Sequence, residues 1–217
     1  MSQQNTHNRL ILLTIAGLPL TMVLAATWLW YFVARGELDV VGALGTANRG
    51  TLVDPPRQLA DAPLRRGDGS AFDFGALEPK WRLLIPRQGE RCGDDCEHLL
   101  YLTRQIHLAI GKEFNRIERF HVADSAPAKT GLAVNALSDN RELPATFSDY
   151  LEREHPGLLA LQLPSAELRA LFPEHIAATD TWYLVDPAGW IMMSYDDSVS
   201  YKDVIADLKF LLKNSSE

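Results

Sequence analysis

Between Leu10 and Val33 the chain carries no side chain with a formal charge at neutral pH. About 20 apolar residues in a helix suffice to cross the hydrocarbon of a bilayer, so residues 10–33 are expected to form a transmembrane helix. Trp28, Trp30 and Tyr31 gather at one end of the run, where amphipathic rings prefer the headgroup layer. A cleaved secretory signal has a shorter apolar region, roughly 7–15 residues, that ends at small residues. Here the apolar stretch continues past Ala25-Ala26 to Val33, so the anchor is expected to stay attached. Arg9 and Arg35 flank the helix and give the positive-inside rule little asymmetry to act on. An acid-free head at residues 1–9 and a long tail make a cytoplasmic head and an outer tail the expected arrangement. The corresponding location is the inner membrane, crossed once, with the C-terminal domain in the periplasm.

The remaining chain is long enough for one ordinary core. Outside Arg9 and Arg35 it holds 19 basic against 28 acidic residues, a formal charge of −9 that does not favour nucleic acid. Residues 34–79 are broken by Asp54-Pro55-Pro56-Arg57 and Arg65-Arg66-Gly67-Asp68-Gly69 and read as a linker that becomes ordered where it meets the domain, placed at 80–217. A buried-strand pattern at Trp81 to Ile85 is expected to stop at Pro86. Leu99, Leu102, Ile106 and Ile110 mark a helix begun by Asp94 or Asp95 and ended near Gly111. A strand at Ile117 to Val122, a helix to Glu154, a strand at Leu158 to Leu163 and a short helix through Leu171 follow. Thr181 to Val185 and Trp190 to Tyr195 then form a hairpin about Asp186-Pro187-Ala188-Gly189, and Tyr201 to Leu212 a last amphipathic helix. The expected class is α/β, with a thioredoxin-like mixed sheet flanked by helices.

The chain has two cysteines, Cys92 and Cys96, too few and too close together for a disulfide scaffold. They join the first core strand to the first long helix, where unpaired amides and the helix dipole stabilise a thiolate. Arg91 supports that effect, while Asp94 and Asp95 oppose a very low thiol pKa. The spacing is C-x-x-x-C, one residue longer than the C-x-x-C of thioredoxin-type oxidoreductases. Such a pair can close a disulfide or, reduced, hold a soft cation such as Cu(I). A structural disulfide is the plainer alternative, although so short a loop restricts few unfolded conformations. As a redox pair, Cys92 is expected to be the exposed attacker and Cys96 the resolving thiol.

Lys80-Trp81-Arg82-Leu83-Leu84-Ile85, the cysteine motif, and Tyr183-Leu184-Val185-Asp186-Pro187-Ala188-Gly189 before a final helix together resemble the Sco family of copper-handling proteins. Leu100-Tyr101-Leu102-Thr103-Arg104-Gln105-Ile106 with Gly111-Lys112 is similar to a proteobacterial group of Sco-like membrane proteins associated with cytochrome c oxidase assembly. The resemblance implies copper as a transient cofactor and, as partners, the copper-bearing oxidase subunit or other assembly factors. It also implies a third copper ligand, a histidine about five residues before Tyr183. That position is Ala178; His175, three residues further upstream, is the nearest histidine and the candidate ligand. No proline stands beside the cysteines between Arg87 and His121, where the family has one.

His98 projects about 200° from Cys96 around the helix and is a poor ligand. His107, His121 and His155 read as a helix-margin, a strand and a loop residue, and His175 otherwise as an exposed loop residue. The expected function is copper-centre assembly of the oxidase, by copper transfer or cysteine reduction. A general periplasmic thiol-disulfide oxidoreductase and a non-redox scaffold are the alternatives. The lack of a proline from Glu174 to Trp182, where thioredoxins keep one opposite their cysteines, weighs against the former.

Overall fold

Trp81–Arg87 (β3) is buried along its whole length, as a strand covered on both faces must be. In the computed structural model, which describes residues 2–34 and 48–215, it is the central strand of a seven-stranded mixed sheet. The other strands are Thr51–Gln58 (β1), Arg65–Arg66 (β2), Ile117–Ala123 (β5), Leu158–Gln162 (β7), Trp182–Val185 (β8) and Trp190–Tyr195 (β9). Their order is β1-β9-β8-β3-β5-β7-β2. β3, β5 and β7 run parallel, and β8, β9 and β1 continue the sheet antiparallel. A separate parallel pair, Arg91–Cys92 (β4) with Gly131–Leu132 (β6), carries the first cysteine.

The helices are Asp94–Ala109 (α2), Phe147–Glu154 (α3), Ser165–Leu171 (α4), Pro173–Ala177 (α5) and Tyr201–Asn214 (α6). One core layer packs α2, α3 and α6 on the sheet through residues such as Leu99, Ile106, Phe147, Val204 and Leu208. The other holds Leu59, Leu64, Phe72, Phe74, Phe120, Leu168 and Phe172. The β8–β9 turn closes at Gly189, whose φ of +90° favours glycine and where a Cβ would lie 2.7 Å from that of Ala60. This arrangement of helices about a mixed sheet is the expected thioredoxin-like class.

The boundaries differ from the sequence reading in three places. The stretch from Thr51 to Leu77, expected as linker, belongs to the domain: β1 pairs with β9, and Leu59, Leu64, Phe72 and Phe74 enter the core. The two prolines that read as breakers sit in an edge strand at a break in its register, where no ladder bond is demanded of them. Asp207 of α6 fastens the start of the unit by accepting from the amides of Arg49 and Gly50 at 2.9 and 3.1 Å. β3 also runs through Pro86 to Arg87, because β8 pairs with it only from Arg82 to Leu84 and leaves that side open beyond. Finally, α2 is entered from Gly93, with both candidate caps inside the helix.

Residues 2–34 form a single helix (α1), which belongs to one unit of the chain, and a second unit begins at Asn48. From Leu13 to Phe32 the helix is long and apolar enough to cross a membrane, and large side chains such as Leu13, Met22 and Trp30 are exposed. The expected head and the ends of the apolar run extend beyond that span, and residues 35–47 lie outside those described.

Candidate functional site

Cys92 and Cys96 are joined by a disulfide, with Cα atoms 5.2 Å apart. β4 and β6 hold the first cysteine: the Ala133 amide donates to the Cys92 carbonyl at 2.8 Å, and the side chain is wholly buried against Leu99 and its neighbours. Cys96, in the first turn of α2, is partly exposed and lines a cavity of about 430 Å³. The expected exposure is therefore reversed. The polar neighbours of Cys92 look outward, but the alternation of β4 turns the sulfur inward, and Cys96 is the one that meets solvent.

His175 lies in the wall of the same cavity. It is a buried residue of α5, 6% exposed, and not the exposed loop histidine expected. Its Nδ1 donates to the Thr181 carbonyl at 2.8 Å, since a carbonyl only accepts. In the neutral ring Nε2 then keeps its lone pair. Burial lowers the His175 pKa against the opposing pull of that bond and of Asp180 and Asp95, which favours the neutral, ligand-competent form. The ring's position is fixed from behind: the His175 amide donates to the Tyr183 hydroxyl at 3.1 Å, Tyr183 donates to Glu174 at 2.8 Å, and Arg57 of β1 pairs with the same carboxylate oxygen at 2.8 Å.

Other residues of this region have roles that the sequence did not reveal. Arg87, at the end of β3, is 4% exposed and lines the cavity. It donates to the carbonyls of Gly89 and Arg91 and to the Thr130 hydroxyl. Asp95 accepts from Thr179 across the mouth of the cavity. Beside Cys96, the buried Glu97 accepts from the Ser138 amide and hydroxyl at 3.1 and 2.5 Å and from Tyr150 at 3.1 Å, anchoring the loop before α3 to α2.

The remaining histidines stand apart from this arrangement. His98 is exposed on α2, and His107 stacks on Phe114 with ring centroids 4.0 Å apart. His121 is buried because β5 is covered on both faces, and His155, at the end of α3, is buried against Arg119 at 3.1 Å. Among the described residues no three His, Cys, Asp or Glu side chains converge as a metal cage. The structure thus brings Cys96 and His175 to one cavity, with Cys92 behind Cys96 through the disulfide.

Comparison with known proteins follows the same lines. No curated protein matches the chain. Among solved structures it is similar to yeast Sco1 with copper bound, at 18% identity and a TM-score of 0.51, over 79% of this chain and 97% of that one. It is likewise similar to apo Sco1 of Thermus thermophilus, at 18% identity and a TM-score of 0.50, over 77% of this chain and 99% of that one. At this identity the likeness establishes the shared fold. The family model described as transmembrane-like, thioredoxin-like, C-terminal domain matches residues 81–215. The chain therefore belongs to the family of transmembrane-like proteins with a thioredoxin-like C-terminal domain.

Proposed function

We propose that this chain is a membrane-anchored, periplasm-facing protein that serves the copper centre of cytochrome c oxidase through the Cys92–Cys96 dithiol. The observation that carries the reading is the opening of Cys96 and His175 into one cavity of a thioredoxin-like fold. Reduction of the disulfide would free two sulfur donors, which suit Cu(I), and His175 Nε2 would offer an imidazole nitrogen beside them. Yeast Sco1, which shares this fold, is solved with copper bound, and this supports copper as the ion handled. The copper is cargo, received and passed on. Without copper, the same dithiol can reduce a client disulfide: one S–S bond breaks in the client, one forms between Cys92 and Cys96, and two electrons pass to the client. The copper-bearing oxidase subunit, or another assembly factor, is the proposed client, and the inner membrane the proposed location.

The test is anaerobic Cu(I) titration of the reduced full-length chain in detergent against a competing chelator. One-to-one binding abolished by Cys92→Ser and Cys96→Ser, and weakened by His175→Ala, supports copper handling. Undiminished stoichiometry in either serine variant would sink it. Absence of binding, with reduction of an oxidised oxidase-subunit domain retained, would leave cysteine reduction as the function. A Cys92→Ser protein, which keeps the exposed Cys96, that traps many unrelated partners as mixed disulfides would instead indicate a general oxidoreductase.

A further inference from the structure

Arg87 is a cation held in the protein interior without an ion pair among the described residues. Its guanidinium is tied to two carbonyls and a hydroxyl, and its Nε is buried with no partner among the described residues. Asp124 and Glu90 are the acids whose charge it feels, and neither lies within pairing distance. Instead Asp124 accepts from the Gly89 amide at 2.7 Å and from Ser165 at 2.8 Å. A buried charge without a counter-ion is costly unless another charge offsets it in some state of the protein.

The geometry points to that state. The Arg91 carbonyl that Arg87 holds at 3.2 Å belongs to the peptide group whose nitrogen is that of Cys92. Thr130, which it holds at 2.8 Å, immediately precedes β6, the partner strand of β4. Arg87 therefore fastens the two-stranded pair that carries the buried cysteine, and places a fixed positive charge beside its backbone. Cys96 is the sulfur open to attack, so Cys92 is the sulfur that must leave.

We propose that Arg87 is the positioning residue for reduction of the Cys92–Cys96 disulfide, holding β4 in place and stabilising the negative charge that arrives on Cys92. This rests on the dithiol being the working group, as proposed above. In the step, the thiolate of a small thiol reductant attacks Cys96 Sγ. A new S–S bond forms between reductant and Cys96, the Cys92–Cys96 bond breaks, and its electron pair passes to the Cys92 sulfur. A second reductant thiolate then attacks the reductant sulfur of the mixed disulfide, releasing oxidised reductant and the Cys96 thiolate. The positive charge of Arg87 favours the reduced side of this exchange, because it attracts the charge that reduction creates.

The experiment equilibrates the full-length chain in detergent with reduced and oxidised glutathione and counts free thiols by maleimide mass shift. Arg87→Gln is expected to shift the exchange constant about tenfold toward the disulfide, equivalent to about 30 mV, and to slow reduction. Arg87→Lys, which keeps the charge, is expected to remain near wild type. An Arg87→Gln protein with a wild-type exchange constant overturns the proposal. Where Arg87→Gln does not fold, Arg87→Lys decides: an unchanged constant agrees with the charge role, and a tenfold fall overturns it. Copper does not enter this measurement, so a failure here leaves the Cu(I) titration standing, and loss of copper binding leaves the Arg87 result standing.

Discussion

Thr179 donates its hydroxyl hydrogen to the carboxylate of Asp95, tying the segment after α5 to the first turn of α2. Both residues line the cavity that exposes Cys96, so this bond forms a strap beside the reactive sulfur. A hydrogen bond contributes net about 0.5–1.5 kcal/mol, so removing it should make opening about 2–10-fold more frequent. Thr179→Val is therefore expected to speed reduction of the disulfide by dithiothreitol within that range, with a fall of about 1–5 °C in the thermal midpoint. An unchanged rate would show that the strap does not limit access.

The order in which the thiols react is a second consequence. In the disulfide form Cys96 faces the cavity, whereas Cys92 of β4 is 0% exposed. Sub-stoichiometric iodoacetamide should label Cys96 first, as read by peptide mass mapping, and a Cys96→Ser protein should react more slowly than Cys92→Ser. Preferential labelling of Cys92 would mean that reduction rearranges the β4–β6 pair.

The contrast with the sequence reading is instructive at these two cysteines. Their presence at a strand-to-helix junction was legible because spacing and flanking periodicity place them there. Which one faces solvent was not, since a two-residue strand has no periodicity to read and its partner, Gly131–Leu132, lies far along the chain. The same limit hid the domain's beginning. Asp54-Pro55-Pro56-Arg57 has the composition of a linker, and only pairing with β9, distant in sequence, makes it an edge strand. His175 was found as a residue but placed in a loop, because a five-residue helix after Pro173 carries too little pattern to be seen. Arg87 was invisible, since an arginine at a strand end is ordinarily solvated.

Tyr183 offers a test of how His175 is held. Its hydroxyl accepts from the His175 amide and donates to Glu174, and the ring is fully buried in β8. Tyr183→Phe leaves the amide and the carboxylate each short of a partner, a loss of about 1–3 kcal/mol in unfolding free energy by urea titration. The cost should fall on α5, so the His175 and Ile176 amides should gain the most in hydrogen exchange. Uniform loosening of the whole sheet would instead mean that Tyr183 serves the core and not the site.

His121 gives the stability its dependence on acid. The ring is buried in β5, packs edge-on against Phe147 with centroids 5.5 Å apart, and neither nitrogen has a hydrogen-bond partner among the described residues. Burial, reinforced by the positive charges of Arg87 and Arg119 and by the neighbouring His175, pushes its pKa down to about 3. In the unfolded chain the same ring titrates near 6.5. Between these values the unfolded state binds the extra proton, so stability is full above pH 6.5 and falls as the pH drops toward 3. Its limiting slope is about 1.4 kcal/mol per pH unit. His155 adds to the same window, since burial and the adjacent Arg119 and Arg104 also lower its pKa. Replacing His121 by leucine removes one of these protons together with two unpaired nitrogens. His121→Leu should therefore flatten the pH 4–6 stability curve measured by urea unfolding and raise stability most at the acid end. A slope equal to that of the wild type would mean that acid sensitivity arises elsewhere, with His155 the next residue to replace.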